Sequence, residues 1–300
     1  MSLGSGEPTR HPFGQNRYRQ NYEPVELETG MTTDPECASL IMAAGRGSRM
    51  KSFAGNKTLL PLKPGTSQTE KDEPILIHIL NRLPSGPKAV VVNYRKEDIF
   101  DATRNLDLVY CEQPSLNGTG GALLAARDFI KDVDGERFII TMGDVPFVKT
   151  STYRRLLARL AADTLVVLGF RPADKKQYGA LEVDGRNVKR IVEWTYWKDY
   201  PAEKRAQLGI CNSGIYAARR SDLVQYLDVL AGRPHVVLKE RNGKMAEIQE
   251  FFITDLIEFM REDDLGIGYV IVEDEDEVMG VDDPASLRKA QELYRANRFS

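Results

Sequence analysis

Five short apolar runs, separated by amphipathic stretches, constrain the fold of this chain more than any other feature. The runs are 37–44, 88–94, 137–143, 164–170 and 267–272. Runs of this length that are rich in Val and Ile are typical of strands buried on both faces. Helical spacing of apolar residues lies between and after them, in three groups: Ala122, Ala126, Phe129 and Ile130; Tyr153, Leu156, Leu157 and Leu160; and Leu287, Ala290, Leu293 and Tyr294. This alternation predicts an α/β fold with a mainly parallel sheet and helices on both faces.

Three segments depart from the alternation. Residues 178–194 place Asp-Gly between two alternating runs, which predicts a small antiparallel insertion. The acidic run 273–277 is typical of a solvated turn. Residues 1–36 lack apolar periodicity, so we expect a flexible N-terminal extension followed by a catalytic domain over 37–300.

Composition excludes several classes of protein. The net charge of −3 lacks the basic footprint of nucleic-acid binding, and no stretch is apolar enough to span a membrane. The three cysteines are widely separated, which argues against a zinc site or a disulfide framework. We therefore expect a cytoplasmic protein whose partners are small molecules or other copies of the chain.

A glycine-rich loop follows the first apolar run. The strand pattern breaks at Ala43, Ala44 and Gly45, and Gly47 follows. Glycines allow a turn whose backbone N–H groups converge on an anion. Four cations lie nearby, at Arg46, Arg49, Lys51 and Lys57. The loop is neither a dinucleotide fingerprint, because Met50 stands where a third glycine is needed, nor a P-loop. A basic surface turn is the alternative interpretation, but the cations favour a phosphate site.

Two acidic positions could hold a divalent cation. Asp144 follows the run that ends at residue 143, at the strand edge where ligands bind in α/β sheets. Asp282 and Asp283 precede a helix that begins near Pro284. Asp283 is the expected helix cap, which leaves Asp282 free to face a ligand. Carboxylates from two such segments would suit Mg²⁺, which prefers oxygen ligands.

These motifs, in this order, resemble the sugar-nucleotide pyrophosphorylases. The resemblance covers roughly 37–297 and is greatest to the uridyltransferase domain of the bifunctional N-acetylglucosamine-1-phosphate uridyltransferases. The segments that carry it are AAGRGSRM with the later Lys57, EQPSLNGTGGAL, GDVP, YG, IVE, NSG, FFITD and MGVDD. The resemblance implies a Rossmann-like nucleotide-diphospho-sugar transferase fold and a magnesium-dependent transfer between a nucleoside triphosphate and a sugar 1-phosphate. UTP is the favoured nucleotide, and N-acetylglucosamine 1-phosphate is one candidate acceptor.

The resemblance also implies roles for individual residues. Arg49 and Lys57 would be catalytic, and Asp144 and Asp282 would bind the metal. Nucleotide contacts are expected from Ala43, Ala44, Gly45, Gly47, Gln113, Gly118 and Thr119. Sugar contacts are expected from Gly179, Glu193 and Asn212.

The chain also departs from that family's pattern at Met142, Ile210, Ser213 and Asp282, where Tyr, an acidic residue, Thr and Asn are common. Since these positions lie near the expected sugar and metal sites, they put the acceptor in question more than the reaction. Two alternatives stay open: a nucleotidyltransferase that uses another phosphate or a cofactor as acceptor, and a non-catalytic nucleotide sensor. The three histidines lie apart from any Ser or Cys suited to a triad, which agrees with phosphoryl-type transfer.

Overall fold

The computed structural model describes residues 37–299, apart from 48, 51–52, 54, 64–71 and 242–243. The expected N-terminal extension, 1–36, and Lys51 lie outside these residues, so the division of the chain at residue 37 stays a prediction. Within the described part, no helix is both long enough and apolar enough to cross a bilayer.

The described residues form thirteen strands, and all five apolar runs are among them. The strands are β1 Cys37–Met42, β2 Pro61–Lys63, β3 Glu73–Pro74, β4 Lys88–Val92, β5 Val109–Glu112, β6 Arg137–Met142, β7 Leu165–Phe170, β8 Ala180–Asp184, β9 Asn187–Val192, β10 Cys211–Arg219, β11 His235–Arg241, β12 Lys244–Glu250 and β13 Ile267–Val272.

Nine of these strands form one sheet, in the order β5-β4-β1-β6-β10-β7-β13-β9-β8. β5, β4, β1 and β6 are parallel, and β7 and β13 are parallel to each other. β10 runs antiparallel between β6 and β7, so the sheet is mixed at its centre, which the sequence pattern did not predict. The carboxyl ends of β1, β4, β5 and β6 therefore share one edge, and the loops that follow them meet there.

Ten helices are present in the described residues, and the larger ones cover both faces of the sheet. They are α1 Ile75–Arg82, α2 Lys96–Thr103, α3 Thr119–Ala125, α4 Arg127–Asp132, α5 Thr150–Arg159, α6 Trp194–Trp197, α7 Ala202–Gln207, α8 Arg220–Gly232, α9 Asp255–Glu262 and α10 Pro284–Arg295. Alternate residues of β1 enter opposite cores, Ile41 with α1, α5 and α10, and Leu40 with α3, α4, α8 and α9. The predicted α/β fold with helices on both faces is confirmed.

The predicted hairpin is also present. β8 and β9 pair in antiparallel register around Gly185, whose φ of 57° suits a tight turn. The hairpin extends the main sheet, and α6 and α7 follow it. A second hairpin, β11 with β12, was not predicted.

The prediction of a solvated turn at 273–277 is wrong for its last two residues, although Glu273 and Glu275 are exposed. Asp276 and Glu277 are buried, with 7% and 4% of their surface exposed, in a 3-10 helix over Glu275–Val278. Asp276 pairs with Lys289 and with Arg298. Glu277 accepts a hydrogen bond from the Thr152 hydroxyl. Asp276 and Glu277 can be buried because cations and a hydroxyl from other segments pair with them.

Candidate nucleotide and acceptor site

The glycine-rich loop leaves β1 at the predicted edge of the sheet. Ala43 is buried, and its N–H donates to the Val91 carbonyl of β4 at 3.0 Å, which continues the strand by one residue. The chain then turns at Gly47, whose φ is 59° and whose carbonyl accepts from the Met50 N–H at 2.8 Å. Ala44 is buried and Gly45 is exposed, so the loop passes from the core to the surface within these few residues.

Lys57 lies directly beneath this loop. A Cβ on Gly47 would stand 3.1 Å from the Lys57 Cβ, so a side chain there would press on the lysine. Lys57 begins a 3-10 helix that Asn56 caps by accepting from the Thr58 N–H at 3.0 Å. Asn56 also donates to the Tyr94 carbonyl at 2.9 Å, which anchors this helix to the loop after β4. The lysine is therefore held in place by its neighbours.

Lys57, Asp144, Asp282 and Arg49 form an ion cluster, which we call the charge cluster. The Lys57 Nζ donates to Asp144 Oδ2 and, at 3.0 Å, to Asp282 Oδ1. The guanidinium of Arg49 lies 3.2 Å from Asp282 Oδ2. The structure thus brings together four of the predicted site residues, from three distant segments.

Backbone contacts explain why the two carboxylates meet. The Val281 N–H donates to the Asp144 carbonyl at 2.8 Å, which joins the loop after β6 to the segment before α10. Asp283 caps α10 by accepting from the Ser286 N–H at 2.8 Å, as predicted. Because the capping bond falls to Asp283, the Asp282 side chain turns towards Lys57.

The two carboxylates of the charge cluster determine the protonation state of Lys57. Burial lowers the pKa of Lys57, but the negative charges of Asp144 and Asp282 outweigh that effect and hold its pKa above the usual value. Lys57 is therefore protonated at neutral pH. Only 13% of its side chain is exposed, against 69% for Arg49, so one cation is buried and the other is accessible to a ligand.

The expected base-reading segment follows β5. Gln113 is buried, and its Nε2 donates to Asn117 Oδ1 at 3.0 Å and to the Gly118 carbonyl at 3.2 Å. Gly118 has a φ of 95°, and a Cβ there would overlap the Phe251 carbonyl oxygen. Thr119 begins α3, and its hydroxyl accepts from the Ile253 N–H at 3.1 Å.

The segment 251–253 thus holds this loop in place, and we call this segment the clamp. The sequence pattern included FFITD without giving it a role, and it overlooked Asn117. Asn117 could have been identified from the sequence as the polar residue directly before Gly118.

Gly179, Glu193 and Asn212 also meet in space. The Asn212 N–H donates to the Gly179 carbonyl at 2.8 Å. A Cβ on Gly179 would lie 3.3 Å from Glu193 Oε2, so glycine leaves this carboxylate room. The Asn212 side chain donates to the Tyr216 hydroxyl at 2.8 Å and accepts from the Gly214 N–H at 3.0 Å. Partial desolvation, together with the charge of Asp255, raises the pKa of Glu193 above its usual value.

A cleft of about 850 Å³ opens beside the charge cluster. Its lining includes Arg49 and Asp282 of the charge cluster and Tyr178, the residue before Gly179. A cleft of this size suits a small-molecule ligand. The cleft can therefore hold a phosphate-bearing ligand beside the charge cluster.

Three of the four departures are accommodated within the fold. Ile210 is buried, with its Cγ2 2.6 Å from where a Cβ on Gly169 would stand. The Ser213 hydroxyl donates to the Leu168 carbonyl at 2.7 Å. Met142 packs under Gly214, with its Cγ 3.3 Å from the position of a Cβ there. Asp282 alone among the four belongs to the charge cluster.

Comparison with known proteins identifies the family. The sequence profile of the MobA-like NTP transferase domain matches residues 39–199, more than half of the chain. The chain belongs to the MobA-like NTP transferase family. The predicted enzyme class, a nucleotidyltransferase, is therefore confirmed. The matched range includes the glycine-rich loop, Lys57 and Asp144, whereas Asn212 and Asp282 lie beyond it.

Relatives extend the similarity past residue 199. The bifunctional protein GlmU of Nitrobacter hamburgensis is 33% identical over 272 residues, which is 88% of this chain and 54% of the relative. The bifunctional protein GlmU of Rhodospirillum rubrum is 34% identical over 264 residues, 86% of this chain and 53% of the relative. The chain thus spans about half the length of these relatives. The resemblance to sugar-nucleotide pyrophosphorylases is confirmed.

Solved structures show the same fold. The uridine diphosphate N-acetylglucosamine pyrophosphorylase of Trypanosoma brucei, in complex with an inhibitor, superimposes with a TM-score of 0.67 at 14% identity, over 86% of this chain and 65% of that one. A CMP:2-keto-3-deoxy-manno-octonic acid synthetase complexed with CTP gives 0.60 at 17% identity, over 87% and 99%. At these identities the likeness concerns the fold, and it confirms the predicted fold class.

Proposed function

We propose that the chain transfers a nucleotidyl group from a nucleoside triphosphate, with UTP favoured, to a sugar 1-phosphate, for which N-acetylglucosamine 1-phosphate is one candidate. The observation that carries this proposal is the charge cluster. It places two cations and two carboxylates where the glycine-rich loop, the end of β6 and the start of α10 meet. The patch of Gly179, Glu193 and Asn212, which follows the cleft residue Tyr178 in the chain, would hold the sugar. The catalytic domain would be residues 37–300, and self-association of the chain is left open.

The donor set of the charge cluster fits a magnesium ion. Asp144 and Asp282 supply carboxylate oxygens that already share one cation, the Lys57 ammonium, so their geometry suits a shared positive charge. Among the described residues, no three acidic, His or Cys side chains converge on one point, so substrate phosphates and water would complete the coordination. When bound, Mg²⁺ would neutralise phosphate charge and orient the triphosphate.

The transfer itself would involve the two substrates and the cations of the chain. A phosphate oxygen of the sugar 1-phosphate attacks the α-phosphorus, the new O–P bond forms, and the bond from the α-phosphorus to the bridging oxygen breaks. Pyrophosphate leaves with that electron pair. The attacking oxygen is already ionised, so no general base is needed. Lys57 and Arg49 would stabilise the negative charge that develops on the leaving group.

The test is a pyrophosphate-release matrix of triphosphates against sugar 1-phosphates, with and without magnesium. We expect turnover in the wells that combine UTP with a sugar 1-phosphate and magnesium. Turnover only with a different phosphate or a cofactor would reassign the acceptor. Triphosphate binding with no pyrophosphate in any well would identify a sensor and refute the proposed reaction.

A further inference from the structure

The side-chain nitrogen of Gln113 already makes two hydrogen bonds within the protein. Nε2 donates to Asn117 Oδ1 at 3.0 Å and to the Gly118 carbonyl oxygen at 3.2 Å. An amide nitrogen carries two N–H groups, so both are used within the loop. Within the described residues, Gln113 Oε1 has no protein donor, and this oxygen is the atom left to contact a ligand.

Neighbouring groups fix this orientation of the amide. The Gly118 carbonyl also accepts from the Ala122 N–H at 3.2 Å. A carbonyl oxygen can only accept, so the Gln113 atom facing it must be the nitrogen. That nitrogen in turn needs an acceptor at Asn117, which it finds in Oδ1.

Asn117 is itself held on two sides. Its carbonyl accepts from the Phe251 N–H at 2.9 Å, which ties its backbone to the clamp. Its side chain occupies the space above Gly121, where a Cβ would overlap Oδ1. The absence of a side chain at residue 121 therefore gives Asn117 its place next to Gln113.

We propose that Asn117 is a positioning residue that makes Gln113 an acceptor-only reader of the nucleobase. This inference rests on the proposed function, in which Gln113 contacts the base. An amide oxygen without a protein donor suits a base that presents a ring N–H, as uracil does at N3. Cytosine has a bare ring nitrogen at N3, so two acceptors would face each other and both would lose hydrogen bonding. A buried group left without a partner costs on the order of tenfold to a hundredfold in affinity.

Removing the acceptor at Asn117 releases one N–H of Gln113. Only the Gly118 carbonyl, at 3.2 Å, then holds the amide nitrogen. The amide can rotate and present an N–H to the N3 atom of cytosine, so selectivity for uridine should fall. The variant Asn117→Leu removes the acceptor, whereas Asn117→Asp keeps an oxygen that accepts from Gln113. In Gly121→Ala, the new methyl group displaces the Asn117 side chain without changing it.

The experiment compares these three variants with wild type and with Ser115→Ala, which alters an exposed residue of the same loop. For each protein, kcat/KM for UTP and for CTP is measured by pyrophosphate release, and the two dissociation constants are measured by calorimetry without acceptor. We expect Asn117→Leu and Gly121→Ala to lower the ratio of UTP to CTP by about tenfold. Asn117→Asp and Ser115→Ala should keep the ratio. Gly121→Ala should have no further effect when Asn117→Ala has already removed the side chain.

Several results would overturn the inference. One is a folded Asn117→Leu protein with the wild-type ratio, and another is an equal loss in Asn117→Asp. A wild-type protein without preference for UTP over CTP would do so as well. If wild type binds UTP selectively but releases no pyrophosphate, the proposed reaction fails, and the dissociation constants still decide the role of Asn117.

Discussion

Replacing Lys57 by Met removes the one buried cation of the charge cluster and keeps the aliphatic stem that packs beneath Gly47. Wild type balances two cations against two carboxylates, and the variant leaves one negative charge in excess. The exposed fractions of Asp144 and Asp282 are 14% and 35%, so water screens Asp282 better than Asp144. Loss of a buried pair can cost about 3–5 kcal/mol, but partial exposure and the remaining Arg49 reduce this, so we expect a loss of ~1–2 kcal/mol in the free energy of unfolding.

The effect on turnover should be much larger. Removing one preorganised electrostatic group typically lowers turnover by about 10²–10³-fold. The assay is pyrophosphate release at saturating substrates, alongside thermal melting with and without magnesium. Magnesium should raise the melting temperature of Lys57→Met more than that of wild type, because the two carboxylates have lost their internal cation.

A matched control separates this effect from a general loss of charge. Lys189→Met removes a lysine that is 52% exposed and whose partner, Asp184, is 73% exposed. It should leave both turnover and stability near wild type, since exposed pairs contribute little. A folded Lys57→Met protein that turned over within about tenfold of wild type would refute the role assigned to Lys57.

Three further changes test other parts of the site and fold. Gly118→Ala should weaken UTP binding by at least about tenfold in calorimetry, because its φ of 95° is strained for alanine and the methyl group meets the Phe251 carbonyl. Asp282→Asn should raise the magnesium concentration needed for half-maximal turnover severalfold, and an unchanged titration curve would argue against metal ligation there. Burial, together with the nearby Arg82, lowers the pKa of His78 below its usual 6.5, so its contribution to stability is present above that pH and is lost as pH falls. The drop in melting temperature from about pH 7.5 to about pH 5.5 should thus be greater for wild type than for His78→Gln.

The buried parallel strands could be predicted because their whole environment is apolar, and this leaves a continuous run in the sequence. β10 could not. Its first residues, Cys211 to Gly214, are interrupted by polar groups, and its antiparallel direction depends on how α6 and α7 connect it to the sheet. Breaks between consecutive helices are also not visible in the spacing of apolar residues. The spacing from Ala122 to Ile130 is continuous, yet the chain forms two helices that meet at Ala126.

Site residues could be predicted where local chemistry selects them. Two adjacent aspartates before α10 compete for one capping position, and the cap rule correctly gave it to Asp283. The pairing of Asp282 with Lys57 could not be predicted, because it depends on the backbone bond from Val281 to Asp144. Asn117 was missed for a related reason. Its partner is the amide of Gln113, and hydrogen bonds between side chains leave no periodic pattern in a sequence.

The structure also changes which departures from the family pattern bear on the acceptor. The sequence suggested that Ile210 and Ser213 altered the sugar site. Ile210 packs against Gly169 in the core, and the Ser213 hydroxyl bonds to the backbone of β7, so neither presents a new group to the cleft. Asp282 is different, since its second oxygen faces Arg49 and adds charge where the phosphates would lie. Ile210 and Ser213 therefore give no structural reason for a change in acceptor, whereas Asp282 should change the dependence on metal.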